Sequence, residues 1–210
     1  MKRRLLIAAP LLATAAVALP RAGRAEIDLA RATAFIRAAG DELVAAINDR
    51  HQPLPARREK VAAILRRTVD IEGTGRFILG RYIRQASPAE LAEYNRLFDD
   101  IIVRNLSARF GEYQGVRFSL GRSQQRTEED ALVNTIIERP NQPAFSLDWR
   151  VAEVNGQPKV VDVIAEGTSL RLTTRSEYSA VIQRNGGRFA ALLDAMRNQI
   201  AQLAARESRG

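Results

Sequence analysis

The chain has 210 residues, of which 46% are hydrophobic and 27% charged, with a formal net charge of +8, no cysteine and one histidine. Without cysteine, disulfides and thiol-based catalytic or metal sites are excluded. His51 follows the first predicted helix and precedes Gln52 and Pro53, a position more typical of an exposed helix end than of a catalytic base. We therefore predict no catalytic residues, no metal ligands and a protein that is not an enzyme.

Residues 1–25 have the pattern of a secretory signal peptide: basic residues at 2–4, an apolar run over 5–19, and small residues before a cleavage site at Ala25. The apolar run is shorter than the roughly 20 residues of a membrane span, although a retained N-terminal anchor is the alternative. This segment holds five basic residues and no acid, so removing it leaves 27 basic against 24 acidic residues, net +3. The remaining cations are scattered, and we predict no nucleic-acid binding. Residues 26–210 are long enough for one domain.

Hydrophobic periodicity predicts helices in the first half of this domain. The predicted segments are helices over 28–50, 57–68 and 76–83, with a turn over 70–75. Ser87, Pro88 and Glu90 form a capping box with proline at the first helical position. They begin a helix that is predicted to run to Phe110 and to stop at Gly111.

After Gly115 the period changes to two, which indicates strands. The predicted strands cover 116–120, 132–137, 145–151 and 159–166. Asn155-Gly156 predicts a tight hairpin turn between the last two, and the acidic cluster 128–130 is interpreted as a solvated turn.

Two helices are predicted to follow the sheet. Thr174 and Glu177 have capping-box spacing, Asn185-Gly186-Gly187 marks a helix end, and a last helix begins near Phe189. This order predicts an α+β fold: a curved antiparallel sheet of about four strands capped by helices, in a single domain whose interior is either filled with side chains or open as an apolar pocket.

Several motifs occur together in this chain in a specific order. They are Leu79-Gly80-Arg81-Tyr82, the Ser-Pro-capped helix, Trp149 in a strand, and VVDVIAEGTSL at 160–170 followed by RSEY at 175–178. In this order they resemble the MlaC family, also called the toluene-tolerance or Ttg2D family. Val161, Ile83 and Tyr178 depart from the usual family residues, which leaves a hopanoid-associated branch of the family open.

The resemblance implies an NTF2-like, helix-capped sheet with an apolar pocket for acyl chains and a periplasmic location. It also implies a carrier that exchanges phospholipid between an outer-membrane lipoprotein complex and an inner-membrane ABC transporter with an MCE-domain component. The cargo would be a phospholipid, or a hopanoid in the alternative branch, with no cofactor. We expect a monomer.

Candidate site residues fall into two groups. The predicted pocket wall consists of Phe98, Ile101, Ile102, Phe118, Leu120, Phe145, Leu147, Trp149, Val151 and Val163. The predicted pocket rim consists of Asp162, Glu166, Gly167, Ser169 and Arg175. The alternative for the second group is structural: Asp162, Glu166 and Arg175 would form surface ion pairs that fix the turn.

Two other functions remain open at this point. An isomerase on the same fold would need an inward carboxylate such as Asp148 or Asp162, with a raised pKa. A scaffold protein would have a filled core and no extractable ligand.

Overall fold

A computed structural model describes residues 27–109 and 112–207. In chain order its elements are α1 (Leu29–Asn48), α2 (Leu54–Thr68), α3 (Ile71–Leu79), a short 3₁₀ helix (Gly80–Arg84), α4 (Pro88–Ser107), β1 (Arg117–Gln125), β2 (Asp130–Glu138), β3 (Phe145–Val154), β4 (Gln157–Ala165), β5 (Thr168–Ser169), α5 (Leu170–Arg184) and α6 (Phe189–Glu207). The predicted signal peptide lies outside the described residues, as do Phe110 and Gly111 at the predicted end of α4.

The strands form one antiparallel sheet in the order β1-β2-β3-β4-β5. The predicted α+β class is therefore confirmed, with a fifth strand of two residues that the sequence did not indicate. Register shifts interrupt the pairing between Leu120 and Ser123 in β1 and between Arg150 and Val151 in β3. Such irregularities bend strands and increase their twist.

Two short turns, at opposite ends of β4, connect it to β3 and to β5. Asn155 and Gly156 have φ angles of 52° and 76°, which confirms the predicted turn because both central residues of such a turn need positive φ. Glu166 and Gly167 repeat this geometry, with φ angles of 50° and 76°. The second turn lets the chain fold back from β4 into β5.

The helix-start signals were correct in one case and wrong in two. The Ser87–Glu90 capping box is present at the start of α4. Residues 70–75 do not form a turn, because the Asp70 side chain accepts a hydrogen bond from the Gly73 amide at 3.0 Å and caps α3. Asp70 therefore compensates for two glycines in the first turns of that helix.

The predicted capping box at Thr174 and Glu177 is also wrong. Helix α5 begins earlier, at Leu170, with the Ser169 hydroxyl accepting from the Leu172 amide at 3.1 Å. Thr174 instead donates to the Leu170 carbonyl at 2.8 Å within the helix. A threonine hydroxyl can bond either to a cap amide or back to the preceding turn, and spacing alone does not distinguish these cases.

The hydrophobic core has distinct parts. A helical core joins α3, α4, α5 and α6, and a sheet core packs α1 and Ile27 against β2, β3 and β4. A smaller cluster joins α1 and α2 to Val116, which precedes β1. In the described ranges, no helix combines the length and hydropathy needed to cross a bilayer.

Candidate functional site

An apolar cavity lies between helices α1 and α2 and one face of the sheet, next to the chain that joins α4 to β1. Its volume is about 160 Å³. Its lining residues are Ile36, Ala39, Gly40, Leu43, Val44, Ile47, Leu65, Thr68, Val69, Leu106, Tyr113, Val116, Phe118, Thr135, Ile137, Phe145, Leu147, Trp149 and Val160.

Strand alternation explains which sheet residues reach the cavity. Phe118, Ile137 and Phe145 are register partners across β1, β2 and β3, and Thr135 pairs with Leu147 one step along the same face. Successive side chains in a strand point to opposite faces. One face of three adjacent strands therefore supplies a continuous wall.

Polar atoms on this wall bond to each other. The Trp149 indole nitrogen donates to the Thr135 hydroxyl at 2.8 Å, and that hydroxyl donates to the Leu147 carbonyl at 3.4 Å. The remaining sheet residues of the lining are hydrocarbon or aromatic. The wall thus suits an apolar ligand and offers no general acid or base.

The lining residues of the cavity differ in exposure. Ile36, Thr135 and Val160 are buried, whereas Tyr113 and Phe145 are half-buried. The lining is therefore partly exposed near the connection that follows α4 and the loop between β2 and β3.

The structure brings four of the predicted wall residues together: Phe118, Phe145, Leu147 and Trp149 line the cavity. Leu120, Val151 and Val163 belong to the same side of the sheet but pack in the sheet core rather than on the cavity. Their cross-strand partners Thr135, Val160 and Trp149 do line the cavity, so the three residues lie beside the wall, where the first half of α1 and Ile27 cover the sheet. Periodicity identifies the face of a strand but not which positions on that face border a cavity.

The three predicted wall residues of α4 lie elsewhere. Phe98 and Ile101 are buried in the helical core, and Ile102 packs against it. Phe98 stacks on Tyr94 with ring centroids 5.7 Å apart. The apolar stripe of α4 packs against α6, so these side chains do not reach the cavity.

Sequence reasoning missed the helical half of the lining. The apolar face of α1 was identified as a helix face, and its residues Ile36, Leu43 and Ile47 line the cavity. Gly40 was not singled out. A β-carbon built on Gly40 would lie 2.4 Å from Cζ of Phe118, so the absent side chain makes room for that ring.

The corner formed by residues 160–178 is a structural joint. Asp162 is buried and accepts hydrogen bonds from the Val163 amide at 2.9 Å, the Ser169 hydroxyl at 2.6 Å and the Arg171 amide at 3.1 Å. Ser169 in turn caps α5. These bonds tie β4 to the start of α5, and neither residue lines the cavity.

The other predicted rim residues also lie away from the cavity. Arg175 stacks over the Phe77 ring at 4.9 Å, and Arg171 stacks over the same ring at 3.9 Å. The ion pair of Asp162 is with Arg171, at 3.9 Å, rather than with Arg175. Glu166 is exposed at the β4–β5 turn, so the proposed surface set of Asp162, Glu166 and Arg175 does not form.

Carboxylates that could favour an enzyme lie on the opposite face of the sheet. Asp148 accepts from the Asn134 amide group at 2.7 Å, and Asp162 is bonded as described. Asp130, interpreted from the sequence as solvated, is instead buried and pairs with Arg126 at 3.2 Å and with Arg150. Two flanking arginines compensate its desolvation. No group of three or more potential metal ligands occurs among the described residues.

The sequence profile described as MlaC protein matches residues 37–198, well over half of the chain. The chain belongs to the MlaC family. This confirms the resemblance drawn from the sequence. The matched range includes α1 from Arg37 onward, the whole sheet and the first half of α6, so every lining residue of the cavity except Ile36 falls within the MlaC match.

One relative and one solved structure are similar to this chain. The toluene tolerance protein ttg2D of Pseudomonas putida is 22% identical over 140 residues, which cover 66% of this MlaC-family chain and 65% of that protein. The chain thus spans just under two thirds of that relative's length. A solved structure of a phospholipid-binding protein from Ralstonia solanacearum, in complex with a phospholipid, superposes with a TM-score of 0.72 at 22% identity. The match covers 82% of this chain and 98% of that one, and it shows that the two share a fold.

Proposed function

We propose that this protein is a lipid carrier that holds phospholipid acyl chains in the cavity between α1, α2 and the sheet. The observation that carries the proposal is the wall itself: its hydroxyl and indole groups at Thr135 and Trp149 bond to each other or to the backbone. Membership of the MlaC family and the phospholipid bound by the Ralstonia protein support the same cargo.

The energetics explain why such a carrier is needed. Burying one methylene group is worth about 0.8 kcal/mol, so a two-chain lipid with on the order of 30 methylenes carries a desolvation term above 20 kcal/mol. A lipid with that cost does not cross an aqueous gap unaided. A carrier has to bury the tails and still release them without a covalent step.

The cavity has to widen as the tails enter. Ligand pockets usually measure about 300–1,000 Å³, and this cavity offers about 160 Å³. Two of its walls are separate helices, whereas the third is a hydrogen-bonded sheet. The proposed route of expansion is therefore movement of α1 and α2 away from Phe118 and its neighbours on the sheet.

The cellular setting is part of the proposal. Residues 1–25 would direct export to the periplasm, and the monomeric carrier would exchange phospholipid with an outer-membrane lipoprotein complex and an inner-membrane transporter. The net charge of +3 after cleavage would give only weak attraction to anionic headgroups.

The first test is to identify the cargo. The protein would be purified from a bacterial periplasm without detergent, extracted with organic solvent and examined by mass spectrometry. We expect stoichiometric phospholipid. A triterpenoid would assign the protein to the hopanoid branch, and an extract without lipid, from a protein that also takes none from vesicles, would contradict the carrier function.

The same preparation allows a second readout. Trp149 is the only tryptophan of the chain and lines the cavity. A phospholipid with brominated acyl chains should therefore quench its fluorescence on binding, whereas the same bromine atoms carried on a water-soluble compound should not.

A further inference from the structure

Arg139 lies beside two half-buried residues of the cavity lining. It follows directly after β2, and its guanidinium group stacks over two aromatic rings. The guanidinium carbon, Cζ, lies 5.6 Å from the ring centroid of Tyr113 and 5.0 Å from that of Phe145. Both rings line the cavity. A positive charge is thus held against two residues that an acyl chain would touch.

The hydrogen-bonding capacity of this guanidinium is unused within the described residues. Its side chain is only 18% exposed, its Nε atom is enclosed without a hydrogen-bond partner, and its one ion-pair partner is Glu112 at 3.9 Å. That distance is too long for a hydrogen bond. Glu112 is itself 52% exposed, so it can turn into solvent when an anion arrives.

Three other arginines of similar exposure lack either the unbonded donors or the contact with the cavity wall that Arg139 has. Arg104 donates to Asp100 at 2.8 Å and to Glu207 at 2.7 Å, and Arg150 donates to Asp130. Arg171 also has an enclosed, unbonded Nε atom, but it does not line or adjoin the cavity. Arg139 alone among these four combines open donors with contact to the cavity wall.

We propose that Arg139 binds the phosphate group of the lipid whose chains occupy the cavity. The planar guanidinium offers paired N–H donors that match two oxygens of a phosphate ester, and such charge-assisted bonds are among the strongest that side chains form. The Tyr113 and Phe145 rings hold the guanidinium in place, so little side-chain freedom is lost on binding. This assignment rests on the carrier function and adds the group that recognises the polar end of the cargo.

The test compares two lipids that differ only in the phosphate-containing headgroup. Dioctanoyl phosphatidylcholine and dioctanoylglycerol have the same chains and no net charge, and their binding to the full chain is followed by Trp149 fluorescence. We expect Arg139→Gln to lower affinity for the phosphatidylcholine by about 10-fold or more, as expected for lost bonds to a charged group. Affinity for dioctanoylglycerol should not change.

Two further variants separate the guanidinium from charge alone. Arg139→Lys keeps the positive charge and loses the paired N–H donors of the guanidinium. We expect its affinity for the phosphatidylcholine to lie between those of the wild type and Arg139→Gln. Arg117→Gln removes a cation near the same end of the sheet, but Arg117 is 81% exposed and pairs with Glu138 at 3.2 Å. That control should bind both lipids as the wild type does.

Each other outcome has a defined meaning. Unchanged phosphatidylcholine affinity in Arg139→Gln overturns the assignment while leaving the carrier function intact. Saturable binding of inorganic phosphate through Arg139, without any preference for phosphatidylcholine over dioctanoylglycerol, assigns the site to free phosphate and also overturns it. Failure of the wild type to bind either lipid contradicts the carrier function itself. Retained dioctanoylglycerol binding by Arg139→Gln shows that the variant is folded.

Discussion

At the residue scale, Tyr94 is a buried polar side chain that packs within the helical core. Its hydroxyl donates to the Gly75 carbonyl at 3.1 Å, which joins α4 to α3. Its ring contacts Phe98, Tyr178 and Phe189, with centroids 5.7, 6.4 and 6.3 Å away. Burial raises the pKa of Tyr94 above its ordinary value of 10.0, because the phenolate would lose its hydration.

This shift predicts a loss of stability in alkali. Above pH 10 the unfolded chain releases the Tyr94 proton while the folded chain keeps it. The contribution of this tyrosine to the free energy of unfolding is therefore fully present below pH 10 and decreases as the pH rises above it. Burial raises the pKa of Tyr178 in the same way. We expect Tyr94→Phe to cost about 1 kcal/mol at pH 7 through the lost hydrogen bond and to reduce the alkaline decline.

Urea unfolding of the wild type and of Tyr94→Phe at pH 7 and pH 11 measures how much stability each protein loses in alkali. Equal losses between the two pH values in wild type and Tyr94→Phe would contradict the assignment. Tyr178→Phe serves as a second variant, since it should also reduce the decline without removing the bond to Gly75.

At the element scale, α1 depends on a glycine in its interior. Glycine costs about 1 kcal/mol relative to alanine in a helix, yet Gly40 lies where the helix meets Phe118 of β1. A side chain there must displace the ring or the helix. The contact places α1 close to the sheet and so sets the width of the cavity.

We expect Gly40→Leu to keep the helix and reduce lipid binding, because the new side chain and the displaced Phe118 ring compete with the acyl chains for space. Ala45→Leu is the matched control, since Ala45 is on the exposed side of the same helix. Quenching of Trp149 by a brominated phospholipid measures the difference. Wild-type quenching in Gly40→Leu would show that this contact does not limit the cavity.

At the scale of the whole molecule, the helical core and the cavity are separate. Ile101 is buried in the former, and Leu147 lines the latter. We expect Ile101→Ala to lower the free energy of unfolding by about 2–5 kcal/mol without changing the lipid affinity of the folded protein. Leu147→Ala should change that affinity at a smaller cost in stability, because Leu147 is only half-buried.

Denaturant unfolding and binding of dioctanoyl phosphatidylcholine, both measured on each variant, test this separation. The binding measurements belong well below the unfolding transition. A clear loss of affinity in Ile101→Ala under those conditions would show that the two regions are coupled.

The sequence alone determined the local features of this protein. The α+β order, the capping box at Ser87, the Asn155-Gly156 turn and the alternation that places Phe118, Phe145, Leu147 and Trp149 on one face all follow from spacing and backbone preference. The motif order was enough to identify the MlaC family. These properties depend on residues close together in the chain, where helix and strand periods fix direction.

Tertiary structure decided what each apolar face meets. Phe98 and Ile101 of α4 pack in the helical core instead of the cavity. Leu120 and Val163 lie beside lining residues without bordering the cavity. Asp162 ties β4 to α5 instead of forming a pocket rim. The role proposed for Arg139 depends on the packing that brings the rings of Tyr113, from the connection after α4, and Phe145, from the start of β3, to its guanidinium. Burial free energy is non-directional, so an apolar pattern specifies that a face is covered, and only the packed chain specifies by what.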